Sequence, residues 1–233
     1  FGKDDAEPVW IDDSLGVVTS LEMDSDGTNI ALVSENYYVY YYSTSSSSSI
    51  WEYDTGNKAT SVSLSSDGNL LAAGSQNRYL YFFNTSSSQP LWSALTGASV
   101  SSISLTPDGS NLAVASGKQL YFFNKNSSAP VWKYSTGSPV NSVAISADGE
   151  YIAVGSSDNI YLFDKDSSTP LWTYAIGSIV ESVSISADGE YIVVGTKDDK
   201  VYLFDKDSST PLWSYTAGDE ITSVAISADG EYI

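Results

Sequence analysis

Apolar and polar residues alternate along short runs of this chain, and the set of runs itself repeats. In the stretch 179–217, the run Ile179 to Ser186 points Val183 and Ile185 one way and Ser182 and Ser184 the other. The same apolar pair recurs as Leu21/Met23, Val62/Leu64, Ile103/Leu105, Val143/Ile145 and Val224/Ile226, and the opposite positions are mostly Ser or Ala. A period of two predicts a strand. Small residues on one side suit an inner strand, where neighbouring sheets crowd near a central axis. Two runs follow, Tyr191 to Gly195 and Val201 to Phe204, apolar on both faces. Such strands need cover on both sides. A fourth run, Pro211 to Tyr215, puts Trp213 and Tyr215 on one face. Proline at its start suits an outer edge strand.

The turn after each first run reads Ser186-Ala187-Asp188-Gly189, or Thr106-Pro107-Asp108-Gly109. Pro second, Asp third and Gly fourth match a type I turn, so these aspartates are read as hairpin devices. The octet ISADGEYI occurs at 145–152, 185–192 and 226–233, and YLFDKDSSTPLW at 161–172 and 202–213. Trp10, Trp51, Trp92, Trp132, Trp172 and Trp213 recur every 40 or 41 residues. A strand-rich period of this length indicates a propeller array with one four-stranded blade per repeat. The expectation is an all-β fold, a β-propeller of antiparallel blades of about 40 residues. It would have at least six blades, or up to eight in a longer chain, over 1–233 as a single domain. An outer strand is expected at 8–13, and the last blade is incomplete at 233. The serine run Ser43 to Ser49 falls between third and fourth strands, as a loop within a blade.

Composition narrows the chemistry. The chain has 233 residues, a net charge of −19, no Cys, no His and a single Arg, Arg78. Disulfides are excluded, as are zinc, haem or copper sites built on Cys or His. Neither a Ser-His-Asp nor a Cys-His nucleophile can be assembled. Only oxygen ligands for a hard cation such as calcium remain. The acidic balance argues against nucleic acid as a partner. No run of 18 apolar residues exists, so membrane insertion through a helix is not expected. The opening Phe-Gly-Lys-Asp-Asp is compatible with a removed leader.

The pattern SVxISxDGxYIxVGSxDxxVYLFD resembles the WD40 repeat. Phe163-Asp164 and Phe204-Asp205 stand where that family carries Trp-Asp. The following Pro-Leu-Trp-x-Tyr resembles the fourth strand of quinoprotein-like (PQQ-like) propellers, and the mixture is similar to proteins of archaeal and bacterial cell surfaces. The resemblance implies a binding or assembly platform. The WD40 Gly-His before the first strand is absent, and the constellation around a quinone cannot be placed.

Several residues are candidates for function. Asp164, Asp166, Asp205 and Asp207 offer oxygens at alternating positions, loosely like a calcium loop, although the full spacing with its distal Glu is missing. Asn84-Thr85-Ser86 and Asn126-Ser127-Ser128 are glycosylation sequons in loops after third strands. The run Tyr37, Tyr38, Tyr40, Tyr41 and Tyr42 places tyrosine on both strand faces, beyond what one core face needs, and suggests an interface. The six tryptophans are read as blade-to-blade packing. Phe1 aligns with Phe163 and Phe204, at the end of a third strand.

The function expected from these features is a non-catalytic extracellular or cell-surface propeller. It serves as a structural or protein-interaction module and pairs with another protein or with itself, assembling into a filament through strand exchange at its ends. No cofactor is expected unless calcium. The alternative is a quinoprotein-like propeller that binds a small ligand or calcium as an enzyme or sensor.

Overall fold

The computed structural model describes residues 7–13 and 15–233. Among the described residues, twenty strands form five antiparallel sheets, each a meander of four consecutive strands. Sheet I holds β1 (Val18–Met23), β2 (Asn29–Ser34), β3 (Tyr38–Ser43) and β4 (Trp51–Asp54). Sheet II holds β5 (Ala59–Leu64), β6 (Leu70–Ser75), β7 (Tyr79–Asn84) and β8 (Pro90–Leu95). Sheet III holds β9 (Val100–Leu105), β10 (Asn111–Ser116), β11 (Gln119–Asn124) and β12 (Trp132–Ser135). Sheet IV holds β13 (Val140–Ile145), β14 (Tyr151–Ser156), β15 (Asn159–Asp164) and β16 (Trp172–Ala175). Sheet V holds β17 (Val180–Ile185), β18 (Tyr191–Thr196), β19 (Lys200–Asp205) and β20 (Trp213–Thr216). There is no helix among the described residues. The repeat is therefore of the propeller type, all β and four strands to a sheet.

Backbone proximity divides the chain into two units. The first runs to Val100 and includes Pro107–Gly109; the second comprises Ser101–Thr106 and Ser110–Ile233. In the first unit, Ala31, Val33, Val39 and Tyr41 of sheet I bury against Val62, Leu64, Leu71, Ala73, Tyr81 and Phe83 of sheet II. In the second, the same arrangement joins sheets III and IV, and then IV and V. Central strands are apolar on both faces because both faces are covered. The residues of β14 from Ile152 to Ser156, for example, are all buried.

The Asp-Gly turns form as expected, with Gly189 N donating to Ser186 O at 3.0 Å. The side chains complete a small box. Ser186 Oγ donates to Asp188 Oδ1 (2.7 Å), which also accepts Glu190 N, while Tyr191 N donates back to Ser186 Oγ. Gly189 lies at φ +74°, and a Cβ there would collide with the ring of Tyr151 in sheet IV. Glycine thus serves both the left-handed backbone and the close approach of the neighbouring sheet.

Three boundaries differ from the sequence reading. The fourth strand of sheet V starts at Trp213, not Pro211, although Leu212 N still reaches Leu203 O at 2.8 Å. Pro8–Asp13 is not paired as a strand, and Phe1 lies outside the described residues. The sixth first strand around Val224 and Ile226 also carries no ladder, although its turn is closed by Ser227 N to Tyr232 O at 2.9 Å.

Candidate functional site

The tryptophans of β4, β12 and β16 build joints to the next sheet. Trp51 stacks between Tyr41 and Phe83 (both 5.5 Å between ring centroids), and its Nε1 donates to Thr85 O at 2.7 Å. Trp132 stacks on Phe163 and donates to Lys165 O at 2.6 Å. Trp172 stacks on Phe204 and donates to Lys206 O at 2.7 Å. Trp10, although outside any strand, keeps the rule by stacking on Tyr42 and donating to Thr44 O at 2.7 Å. In all four the partner is an aromatic residue, and the acceptor is the carbonyl two residues after it. Tyr134 and Tyr174 add edge contacts to Phe163 and Phe204.

Trp213 and Tyr215 occupy the same positions in sheet V but are 41% and 67% exposed. Among the described residues, nothing stacks on Trp213 and nothing accepts from its indole nitrogen. With Val201, Leu203, Gly230, Glu231 and Ile233 they line a groove of about 450 Å³. In the first unit, Leu21 and Met23 are 61% and 55% exposed, whereas their equivalents Val62 and Leu64 are buried.

The tyrosine run divides. Tyr41 is buried against sheet II and donates its hydroxyl to Gly68 O at 2.9 Å. Tyr40 and Tyr42 are buried on the other face with Leu15 and Leu32. Burial raises the Tyr42 phenol pKa, and the neighbouring Asp12, to which it donates, raises it further. Only Tyr37 and Tyr38 keep solvent-facing surface, Tyr37 at φ +84° in the turn before β3. Packing therefore claims three of the five.

The aspartates expected at a calcium site lie in two separate loops. Asp164 Oδ1 accepts Asp166 N, and Asp205 Oδ1 accepts Asp207 N, both at 2.8 Å. Asp205 and Asp207 come together with Glu190, but Asp164 and Asp166 do not join them. Lys206 Nζ sits 2.7 Å from Glu190 and 3.4 Å from Asp207. Lys165 does the same work beside Glu150 and Asp166. An internal ammonium thus stands beside Glu190, Asp205 and Asp207, three carboxylates grouped closely enough to hold a metal ion.

A family model described as outer membrane protein assembly factor BamB matches residues 90–231, more than half of the chain. The chain belongs to the BamB repeat family. A second model, the WD domain, G-beta repeat, matches residues 47–84, so the BamB-type chain keeps the WD-like character read in its sequence. No curated protein matches the chain. Propeller repeats of these two kinds are interaction and assembly modules, and the BamB family is associated with the cell envelope. Among the described residues no helix is long and apolar enough to cross a membrane.

A feature of this BamB-type chain that strand alternation alone does not flag is Glu22. Inner strands of adjacent sheets are joined by small side chains that accept backbone N–H groups. Val143 N and Ile145 N donate to Ser102 Oγ and Ser104 Oγ, and Val183 N to Ser142 Oγ. At the corresponding place in sheet I, Leu64 N donates to Glu22 Oε2 at 2.8 Å. Burial pushes the Glu22 carboxyl above its ordinary range, and the bonds from Leu64 and Ser63 only partly offset that. The signal lay in the repeat alignment, where Glu22 is the one acid in a column of Ser and Ala. Of the sequons, Asn126 lies exposed in the loop after β11, while Asn84 Oδ1 accepts from Ser86 N at 3.0 Å.

Proposed function

We propose that this chain is a non-catalytic propeller module of an extracellular or cell-surface protein, which works by holding other protein surfaces and associates with itself. The supporting observation is the tryptophan joint. The same aromatic device that joins sheets inside each unit is presented open to solvent on sheet V, with Trp213 and Tyr215 exposed. Large exposed aromatics backed by an apolar groove are what interfaces use as anchors. Lys165 and Lys206 each pair with the carboxylates beside them, at Glu150 and Asp166 and at Glu190 and Asp207. Family membership points the same way. The acidic surface and the sequons at Asn84 and Asn126 fit an exported protein.

The reading is tested by light scattering of the purified chain over a range of concentrations, together with thermal melts in calcium, in EDTA and with a pyrroloquinoline quinone. Concentration-dependent mass and a melting temperature indifferent to all three additives are expected. A monomer at every concentration, combined with a melting temperature raised by quinone or calcium, overturns it in favour of a ligand-binding propeller.

A further inference from the structure

We propose that Tyr42 and Asp12 form a one-electron redox site, at which the Tyr42 phenol gives up an electron together with its proton, fed through the rings of Trp10, Tyr40 and Tyr38 stacked beside it. This goes beyond the interaction role and does not depend on it.

The joint at Tyr42 departs from its relatives at two linked positions. At three later joints a tryptophan and a tyrosine of the fourth strand close on a phenylalanine. Trp51 and Tyr53 meet Phe83, Trp132 and Tyr134 meet Phe163, and Trp172 and Tyr174 meet Phe204. In repeat register, Trp10 corresponds to those tryptophans, Tyr42 to those phenylalanines and Asp12 to those tyrosines. The stack is kept, with Trp10 and Tyr42 at 5.6 Å and 22°. The chemistry is not. A phenol stands where the others have a plain ring, and a carboxylate where they have an edge-on ring. The two changes meet in one bond, Tyr42 Oη donating to Asp12 Oδ2 at 2.9 Å.

That acceptor is a base. Tyr41 and Tyr161 donate to neutral carbonyls, Gly68 O at 2.9 Å and Thr136 O at 3.1 Å. Tyr42 is 1% exposed and packs with Leu15 and Leu32, which keep water from its ring. Burial and Asp12 both raise its pKa, so the resting pair is phenol and carboxylate. A phenol that loses an electron becomes a strong acid, and Asp12 is placed to take the proton without either group moving. The row of rings continues on the other side. Tyr42 lies 6.1 Å from Tyr40, and Tyr40 lies 5.8 Å from Tyr38. Trp10 and Tyr38, at the two ends of the row, are half-buried and reach solvent. All four rings are tyrosine or tryptophan, the oxidisable kinds. Phe83, Phe163 and Phe204 put a ring that is far harder to oxidise at the corresponding place.

A one-electron oxidant in solution removes an electron from Trp10. Tyr42 returns one electron to Trp10 across the stack, its O–H bond breaks, and the proton passes to Asp12. The products are the reduced oxidant, a neutral Tyr42 phenoxyl radical and protonated Asp12. The net charge of −19 draws cationic oxidants toward the chain.

The experiment is laser flash-quench oxidation of the full chain by photogenerated tris(bipyridine)ruthenium(III). It is read by the phenoxyl absorption band and by electron paramagnetic resonance, with circular dichroism confirming the fold of each variant. The wild type is expected to give a phenoxyl radical that outlives that of free tyrosine and forms more slowly in heavy water. Tyr42→Phe installs the residue of the other joints and is expected to lose the long-lived radical. Asp12→Asn keeps an oxygen that accepts the phenol hydrogen bond but cannot take the proton, and is expected to lose it as well. Tyr81→Phe, in sheet II, is expected to keep it. Trp10→Phe combined with Tyr38→Phe keeps both rings and is expected to slow its formation; an unchanged rate overturns the relay. A long-lived radical of unchanged yield in Tyr42→Phe puts the hole elsewhere and overturns the site. Unchanged yield and rate in Asp12→Asn make Asp12 a packing partner only and overturn the pair, as does a wild type without a long-lived radical.

Discussion

Trp172 and Trp213 are the same residue of the same repeat in adjacent sheets of one unit, and they should respond very differently to removal. Trp172 is half-buried, stacked on Phe204 at 5.4 Å, and donates to Lys206 O at 2.7 Å. Core Trp-to-Ala changes cost about 3–5 kcal/mol. Half-burial places Trp172→Ala near the lower end, at about 3 kcal/mol. Within that, the stack contributes about 1 kcal/mol and the indole hydrogen bond about 1 kcal/mol. Trp172→Phe keeps a ring on Phe204 and loses the donor, so its cost should be about 1–2 kcal/mol. Trp213→Ala in dilute, monomeric protein removes neither a stack nor a bond and should stay within about 0.5 kcal/mol. The assay is urea unfolding followed by circular dichroism. With a slope of roughly 2 kcal/mol/M, Trp172→Ala should lower the midpoint by roughly 1.5 M at unchanged slope. Equal losses for Trp172→Ala and Trp213→Ala in the monomer would refute the reasoning, since position in the repeat and not the joint would then set the energy.

Glu22→Gln is expected to stabilise the protein above the ordinary glutamate pKa. The folded state holds this proton more tightly than the unfolded chain, so stability declines as pH rises from the unfolded to the folded value; thermal melts of both proteins from about pH 4 to 8 should diverge across that window, and parallel curves would contradict it. Lys206→Met should cost less than about 1 kcal/mol, yet it should make the melting temperature rise with calcium, because Glu190, Asp205 and Asp207 lose their internal cation; a calcium-dependent wild type would show that an ion displaces the lysine. In a host that glycosylates exported proteins, peptide mass spectrometry should find carbohydrate chiefly at Asn126, and Asn126→Gln should remove it; modification confined to Asn84 would be contrary.

The sequence carried the repeat, the four strands per unit and the role of tryptophan, because each depends on spacing alone. Strand periodicity also separates Val183 and Ile185 from Ser182 and Ser184, and the structure uses the two faces as that pattern requires. What depends on neighbours was less visible. The tyrosine run showed alternation on two faces but not that Leu15 and Trp10 cover Tyr40 and Tyr42 from one side. The Asp-Lys-Asp loops looked like oxygen ligands for a cation. Only the pairing of β18 with β19 shows that Lys206 reaches back to Glu190 and supplies that charge itself. Pro8–Asp13 reads as a strand by repeat register, yet it lacks a ladder among the described residues, since pairing needs a neighbour as well as a register.

The serine hydroxyls on the inner strands have a consequence for how such a chain grows. Sheet IV carries an acceptor for sheet V and a backbone donor to sheet III, as Ser142 and Val143 show together. A duplicated segment therefore arrives with both halves of its own joint and can be spliced in without compensating substitutions. Inheritance by copying is then nearly neutral to stability. The column Ser20, Ser61, Ser102, Ser142, Ser182 and Ser223 carries that joint through the chain, and Glu22 stands two positions on, where the other repeats have Ser or Ala.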